Sequence, residues 1–146
     1  MPIREPIYHV ATQSAAKAWR ERFGRYRLMG TVCRDCGTEF YPRRPVCAKC
    51  KSFNIADKEF PHTGKIVANA IDFYPLTAYG QQVPVVIAAV QLGNDGPVIT
   101  THIVDIDPWE VRIGDHVEMV VRRVRRESNG NYQYSHKFRV IEKGSV

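Results

Sequence analysis

Cys33-Arg34-Asp35-Cys36, a ten-residue spacer and Cys47-Ala48-Lys49-Cys50 decide the fold of this chain. Each Cys-x-x-Cys knuckle presents two sulfurs to one ion from a tight turn. Gly37, directly after Cys36, lets the backbone bend so that its amides face sulfur. Two knuckles supply four thiolates at about 2.3 Å in a tetrahedron, a closed structural zinc site with no position left for a substrate. The same sulfur tetrahedron suits a single iron, which would imply electron transfer. A dithiol redox role is a third reading, but redox Cys-x-x-Cys motifs come singly. Nothing else in the chain suggests a redox partner system, so zinc is the expected ion. The chain's four cysteines all lie in this segment, and in a reducing compartment metal ligation is favoured over disulfides.

Around the knuckles, residues 25–60 are rich in turn formers (Gly30, Gly37, Pro42, Pro45). They are too few to bury a core, so the metal must hold them together. Downstream, residues 64–142 read as five strands, at 65–72, 85–92, 98–104, 117–124 and 132–141, each β-branched or aromatic. Turn signals separate them, such as Gly93-Asn94-Asp95-Gly96, Ile113-Gly114-Asp115 and Asn129-Gly130-Asn131. In the last strand Tyr132, Tyr134, His136, Phe138 and Val140 share one face. Five strands in about 80 residues without a long helix suggest an OB-type barrel, and Asp107-Pro108-Trp109-Glu110 can supply the short helical turn such barrels carry. Upstream, residues 12–23 read as an amphipathic helix, capped by Thr12, with Ala15, Trp19 and Phe23 on one face and Gly24 as its stop. So short a helix is marginal alone, so Trp19 and Phe23 must pack on this chain or on a partner. The expected fold is mainly β: an N-terminal helical segment (1–29), a rubredoxin-like zinc ribbon (30–60) and a five-stranded OB-fold barrel (61–146).

Composition narrows the class. The chain has 146 residues, 44% hydrophobic and 25% charged, which excludes a disordered or collagen-like polymer. No apolar run approaches the roughly 18 residues of a membrane span; the best, 83–90, contains Pro84. Met-Pro-Ile-Arg-Glu-Pro opens without the apolar stretch of a secretory signal. A cytoplasmic protein without membrane contact is expected. Net charge is +6, divided as +2 over residues 1–24, +5 over 25–65 and −1 over 66–146. The surplus therefore lies with the cysteines, and the barrel is not a basic domain. No G-x-S-x-G elbow, Walker A loop, G-x-G-x-x-G or H-E-x-x-H occurs. His9, His62, His102, His116 and His136 are scattered, and the metal claims all the cysteines. These features point to a binding or assembly module rather than an enzyme.

Several stretches together are more specific. Tyr26-Arg27-Leu28 leads into Cys-x-x-Cys-Gly; Phe40-Tyr41-Pro42-Arg43 separates the knuckles, which zinc chemistry does not demand. Ile113-Gly114-Asp115-His116-Val117-Glu118 and Tyr134-x-x-Lys137-Phe138-Arg139 follow in the barrel. Over residues 12–141 the chain resembles the thiolase-associated zinc-ribbon/OB-fold proteins of archaea and bacteria. That resemblance implies a small non-catalytic subunit bound to thiolase-fold enzymes. One branch bridges acetoacetyl-CoA thiolase and hydroxymethylglutaryl-CoA synthase around a shared coenzyme A site. Another is the small subunit of a three-component acetyltransferase acting on phloroglucinol rings.

Coenzyme A needs Arg or Lys for its phosphates, an apolar surface for adenine and a narrow groove. Arg43 and Arg44 beside the knuckles, and Lys65, Arg122, Arg123 and Lys137 in the barrel, are the candidate contacts. Trp19, Phe23, Tyr74 and Tyr79 are the candidate partner surface, the tyrosines lying in an aromatic loop at 73–79. The competing reading is a module binding single-stranded nucleic acid by aromatic stacking over a basic groove. The −1 balance of residues 66–146 argues against it.

Overall fold

A small sheet forms around the cysteines, and a barrel follows it. The computed structural model describes residues 15–74, 83–126, 130 and 132–144. Thr12, Tyr79 and the flanks of Gly130 in its turn lie outside them. Two one-and-a-half-turn helices come first, α1 (Ala15–Arg20) and α2 (Arg22–Arg27). The small sheet contains β1 (Met29–Cys33), β2 (Glu39–Phe40) and β3 (Ile55–Glu59), antiparallel in the order β2-β1-β3. The barrel contains β4 (Thr63–Asp72), β5 (Val85–Leu92), β6 (Val98–Ile103), β7 (His116–Arg126) and β8 (Tyr132–Glu142). It closes in the order β4-β5-β6-β8-β7. Between β6 and β7 sits the expected helical turn, Pro108–Glu110, whose Trp109 amide donates to the Asp107 carboxylate at 2.9 Å.

The barrel core follows from alternation. Every second residue of β5 is buried (Val86, Ala88, Val90, Leu92), and Ile66, Ile99, Ile103, Val117 and Phe138 meet them from the other strands. A register shift between Ile66 and Ala68 bends β4, as closing five strands requires. Leu28 and Phe60 flank the paired Met29 and Glu59 at one end of the small sheet and enter the same core, so sheet and barrel share it. Gly30 makes this possible: a Cβ there would lie 2.3 Å from the Phe40 carbonyl oxygen and 2.5 Å from the Phe60 ring.

The helical segment departs from expectation. In place of one helix ending at Gly24, the chain breaks at Glu21 (φ −88°, ψ 0°) and resumes through Gly24 to Arg27. The stop is Leu28, at φ 48°. Its side chain is fully buried, so burial imposes a left-handed turn that Gly24 would adopt more easily. Trp19 is 67% exposed and Phe23 37%, and the Arg22 guanidinium lies 3.9 and 4.2 Å from their ring centres. The α2 backbone carries the docking: the Tyr41 hydroxyl donates to the Gly24 carbonyl at 2.9 Å, and a ring nitrogen of His136 lies 3.3 Å from the Arg25 carbonyl.

Candidate functional site

The metal centre is built by two turns of the same kind. β1 delivers Cys33 into the first, where the Gly37 amide donates to the Cys33 carbonyl at 2.9 Å. In the second, the Lys51 amide donates to the Cys47 carbonyl at 3.1 Å. Gly37 (φ 69°) and Lys51 (φ 62°) occupy the same left-handed position four residues after the first cysteine. Lysine there carries steric strain that glycine avoids. Asp35 ties the turns together, accepting from the Ser52 hydroxyl and from the Asn54 side-chain amide. Those bonds hold its carboxyl below the usual range.

All four sulfurs lie within 4.8 Å of one another, with Cys33 and Cys50 3.5 Å apart and Cys36 and Cys47 3.6 Å apart. A tetrahedron with about 2.3 Å metal–sulfur bonds has edges of about 3.8 Å. Cys33 and Cys47 are fully buried. The Thr38 hydroxyl, 3.2 Å from the Cys36 sulfur, and the Thr38 amide pull the Cys36 thiol down to about 6. The Ser52 amide acts likewise on Cys50, but the sulfurs of Cys33, Cys47 and Cys36, with burial, outweigh it and push that thiol up to about 12. Four thiolates this close need a cation among them, and the donor set fits zinc.

Between the ribbon and the barrel lies an open cavity of about 810 Å³, walled by α1–α2, the Tyr41–Pro42–Arg43 stretch and the barrel. It exists because β6 and β8 pair only at Ile103 and Phe138, and diverge before that point. Thr101 and His102 of β6, and Ser135, His136 and Lys137 of β8, line the opening. The Tyr41 ring stands edge-on to His136 at 5.8 Å and 80°. Burial pushes the Tyr41 hydroxyl up to about 12, with Arg25 opposing, so it remains a donor. Burial also lowers His136 and His102, the latter with help from Lys137.

Residues 20–56 match the family described as ChsH2, rubredoxin-like zinc ribbon domain, and residues 57–122 match ChsH2, C-terminal OB-fold domain. A DUF35 domain-containing scaffold protein of Pyrococcus furiosus is 36% identical over 129 residues, 88% of this chain and 93% of that protein. Its counterpart in Methanothermobacter thermautotrophicus is 36% identical over 125 residues, 84% of this chain and 93% of the relative. A solved structure described as Ltp2-ChsH2(DUF35) aldolase is 26% identical with a TM-score of 0.65, covering 85% of this chain and 89% of the other. The chain belongs to the DUF35 zinc-ribbon/OB-fold family.

As in the family's ribbon, the four cysteines provide for one structural zinc. The six cations singled out as coenzyme A contacts are scattered over this DUF35 chain. Arg43 and Lys137 line the large cavity. Arg44 instead lies 5.8 Å from the Phe40 ring centre. Lys65 borders a second hollow of about 210 Å³ with His116. Arg122 is held by Asp105 at 2.6 Å, and Arg123 lies 5.3 Å from the Tyr132 ring centre. Of the aromatic candidates, Tyr74 is 85% exposed, beside a tilted Phe73–Trp109 pair 5.7 Å apart. Phe23 contributes to the cavity wall. Arg20 and Arg25 line the cavity too; the sequence singled out neither, because no spacing or motif ties them to barrel residues of that wall more than sixty positions away. Among the described residues no helix is long and apolar enough to cross a membrane.

Proposed function

We propose that this DUF35 chain is a non-catalytic scaffold subunit of a thiolase-type acyltransferase complex, bridging catalytic subunits in the cytoplasm and contributing to their coenzyme A site. The observation that carries the reading is the cation-walled open cavity between zinc ribbon and barrel, whose volume of about 810 Å³ is in the range of small-molecule and cofactor sites. Of the candidate coenzyme A contacts, Arg43 and Lys137 line it, which supports those two over the others. Relatives named scaffold proteins support a structural role, and the relative described as an Ltp2-ChsH2(DUF35) aldolase supports an enzyme subunit as the partner. Exposed Trp19 and the Phe73–Tyr74–Trp109 cluster are the surfaces that a partner would cover.

Affinity capture of the zinc-loaded chain from its native host, with mass spectrometric identification of what co-purifies, tests the bridge: thiolase-fold subunits are expected in stoichiometric yield. Recovery of the chain alone, or turnover of an acyl thioester by the isolated chain, would overturn it. Tyr132 and Tyr134 are half-exposed on β8 with Arg123 beside Tyr132, a local arrangement that favours single-stranded nucleic acid. That reading requires retention on single-stranded DNA with a steep salt slope, and it falls if retention is absent at about 150 mM salt.

A further inference from the structure

We propose that the cavity is a binding site for a phosphate ester, seated on the Lys137 ammonium at its floor. The proposal deepens the coenzyme A reading by stating which end of the ligand enters first.

Lys137 and Phe138 are adjacent on a strand, and both are buried, at 7% and 0% exposure. Alternation sends them to opposite faces: Phe138 into the barrel core, Lys137 outward beneath the walls of the cavity. A lysine covered to this extent ordinarily has a carboxylate against it. Among the described residues the Lys137 side chain makes no hydrogen bond and no ion pair. Asp105 is near enough to be felt by it, but that carboxylate is committed to Arg122 at 2.6 Å. Burial and Arg123 lower the Lys137 amine, the direction expected when its counter-charge is missing.

The surrounding charges point the same way. The cavity is lined by Arg20, Arg25, Arg43 and Lys137 against one carboxylate, Glu21. Glu21 is bound by Arg25 at 2.6 Å, and Arg43 meets Asp57 at 2.7 Å. Arg20 and Lys137 remain without a carboxylate among the described residues. A singly charged carboxylate ligand would leave a cation unmet, whereas a phosphate monoester or a diphosphate brings two negative charges and enough oxygens for a lysine and an arginine together. The hydroxyls of Thr101 and Ser135 line the same wall and can donate to the remaining oxygens.

Calorimetric titration of the zinc-loaded full chain tests this with three probes: pyrophosphate, coenzyme A, and pantetheine, which has no phosphate. Pyrophosphate and coenzyme A should bind and pantetheine should not, and Lys137→Met should weaken both phosphate ligands at least tenfold while Lys137→Arg retains them. The unliganded Lys137→Met protein should melt no lower than wild type, because a buried unpaired charge has been removed. Should that variant fail to fold, the wild-type Lys137 ε-carbon resonance serves instead: its titration should move to higher pH when pyrophosphate is added. Binding of pyrophosphate without coenzyme A would keep the anion site and discard the coenzyme A reading. Coenzyme A binding equally well to wild type and Lys137→Met, or a Lys137 titration that pyrophosphate leaves unmoved, would overturn the anion site while sparing that reading. Absence of pyrophosphate binding would likewise overturn the site.

Discussion

Tyr41 is the joint between the zinc ribbon, the helices and the barrel, and its removal should separate them in measurable steps. The hydroxyl donates to the Gly24 carbonyl at 2.9 Å, and the ring stands edge-on to His136 at 5.8 Å while packing against the core. Tyr41→Phe removes one neutral hydrogen bond, and water can reach the half-buried Gly24 carbonyl, so the cost should be about 1 kcal/mol. Tyr41→Ala also removes the ring. A fully buried aromatic lost to alanine costs about 3–5 kcal/mol; with the Tyr41 ring partly exposed, the lower end applies, giving about 3–4 kcal/mol with the hydrogen bond included. For a chain of this size each kcal/mol lowers the midpoint by about 2–4 °C. The assay is urea unfolding of the zinc-loaded protein, followed both by circular dichroism and by a colorimetric zinc indicator. In wild type the two transitions should coincide, because ribbon and barrel share Leu28 and Phe60 in one core. In Tyr41→Ala zinc release should run ahead of barrel unfolding. A Tyr41→Ala cost under about 1 kcal/mol, or equal costs for the two variants, would refute the joint, since the ring is then contributing nothing beyond its hydroxyl.

Three further outcomes are expected. Cys33→Ser, or zinc removal by a chelator, should leave the amides of β1–β3 exchanging freely while those of β5 and β6 stay protected, because the barrel has its own core and the ribbon does not; hydrogen exchange with mass spectrometry reads this directly. Asp115→Asn should destabilise by about 2–3 kcal/mol in urea titrations, because the fully buried carboxylate accepts from the Arg112 and Gly144 amides at 2.9 Å each and asparagine turns one of those acceptors into a donor. Stability should fall as pH drops below about 6.5: burial lowers His102 and His136 in the folded chain, so the unfolded chain takes up protons first, with a slope of at most about 1.4 kcal/mol per pH unit for each histidine. His136→Gln should flatten that slope between pH 5 and 7, and an unchanged slope would show that His136 is not the group involved.

How far the residues themselves disclosed this arrangement depends on the range over which each feature is set. Knuckle spacing is local, and so the metal site was legible as four residue types at fixed separations. The five barrel strands were legible for the same reason: β5 spans Val85–Leu92 as the apolar run suggested, and only the ends of the others moved, β4 beginning at Thr63 rather than Lys65. The helix boundary was not legible. Gly24 looks like a stop by local preference, but the chain turns at Leu28 because that side chain has a core to fill. Lys51 is the same lesson in the second knuckle, where ligand geometry forces a left-handed residue although no glycine marks it.

Segment charge says least where position matters most. Residues 66–146 carry a net charge of −1, which argued against a basic groove for single-stranded nucleic acid. Net charge counts ions that have already found each other. Arg122 with Asp105, Arg139 with Glu118 and Lys143 with Asp115 cancel within the barrel. Arg27 with Glu59 and Arg43 with Asp57 do so in the ribbon and its approach. A solvated pair of this kind adds little to stability and projects little field beyond a Debye length. What remains is set by the few cations the fold leaves over. Lys137 is one of them, placed by strand alternation under a cavity whose helix and ribbon walls arrive from residues more than ninety positions earlier. The field that a ligand meets there is therefore a product of the tertiary fold, and the parting of β6 from β8 below Ile103 and Phe138 is the feature that exposes it.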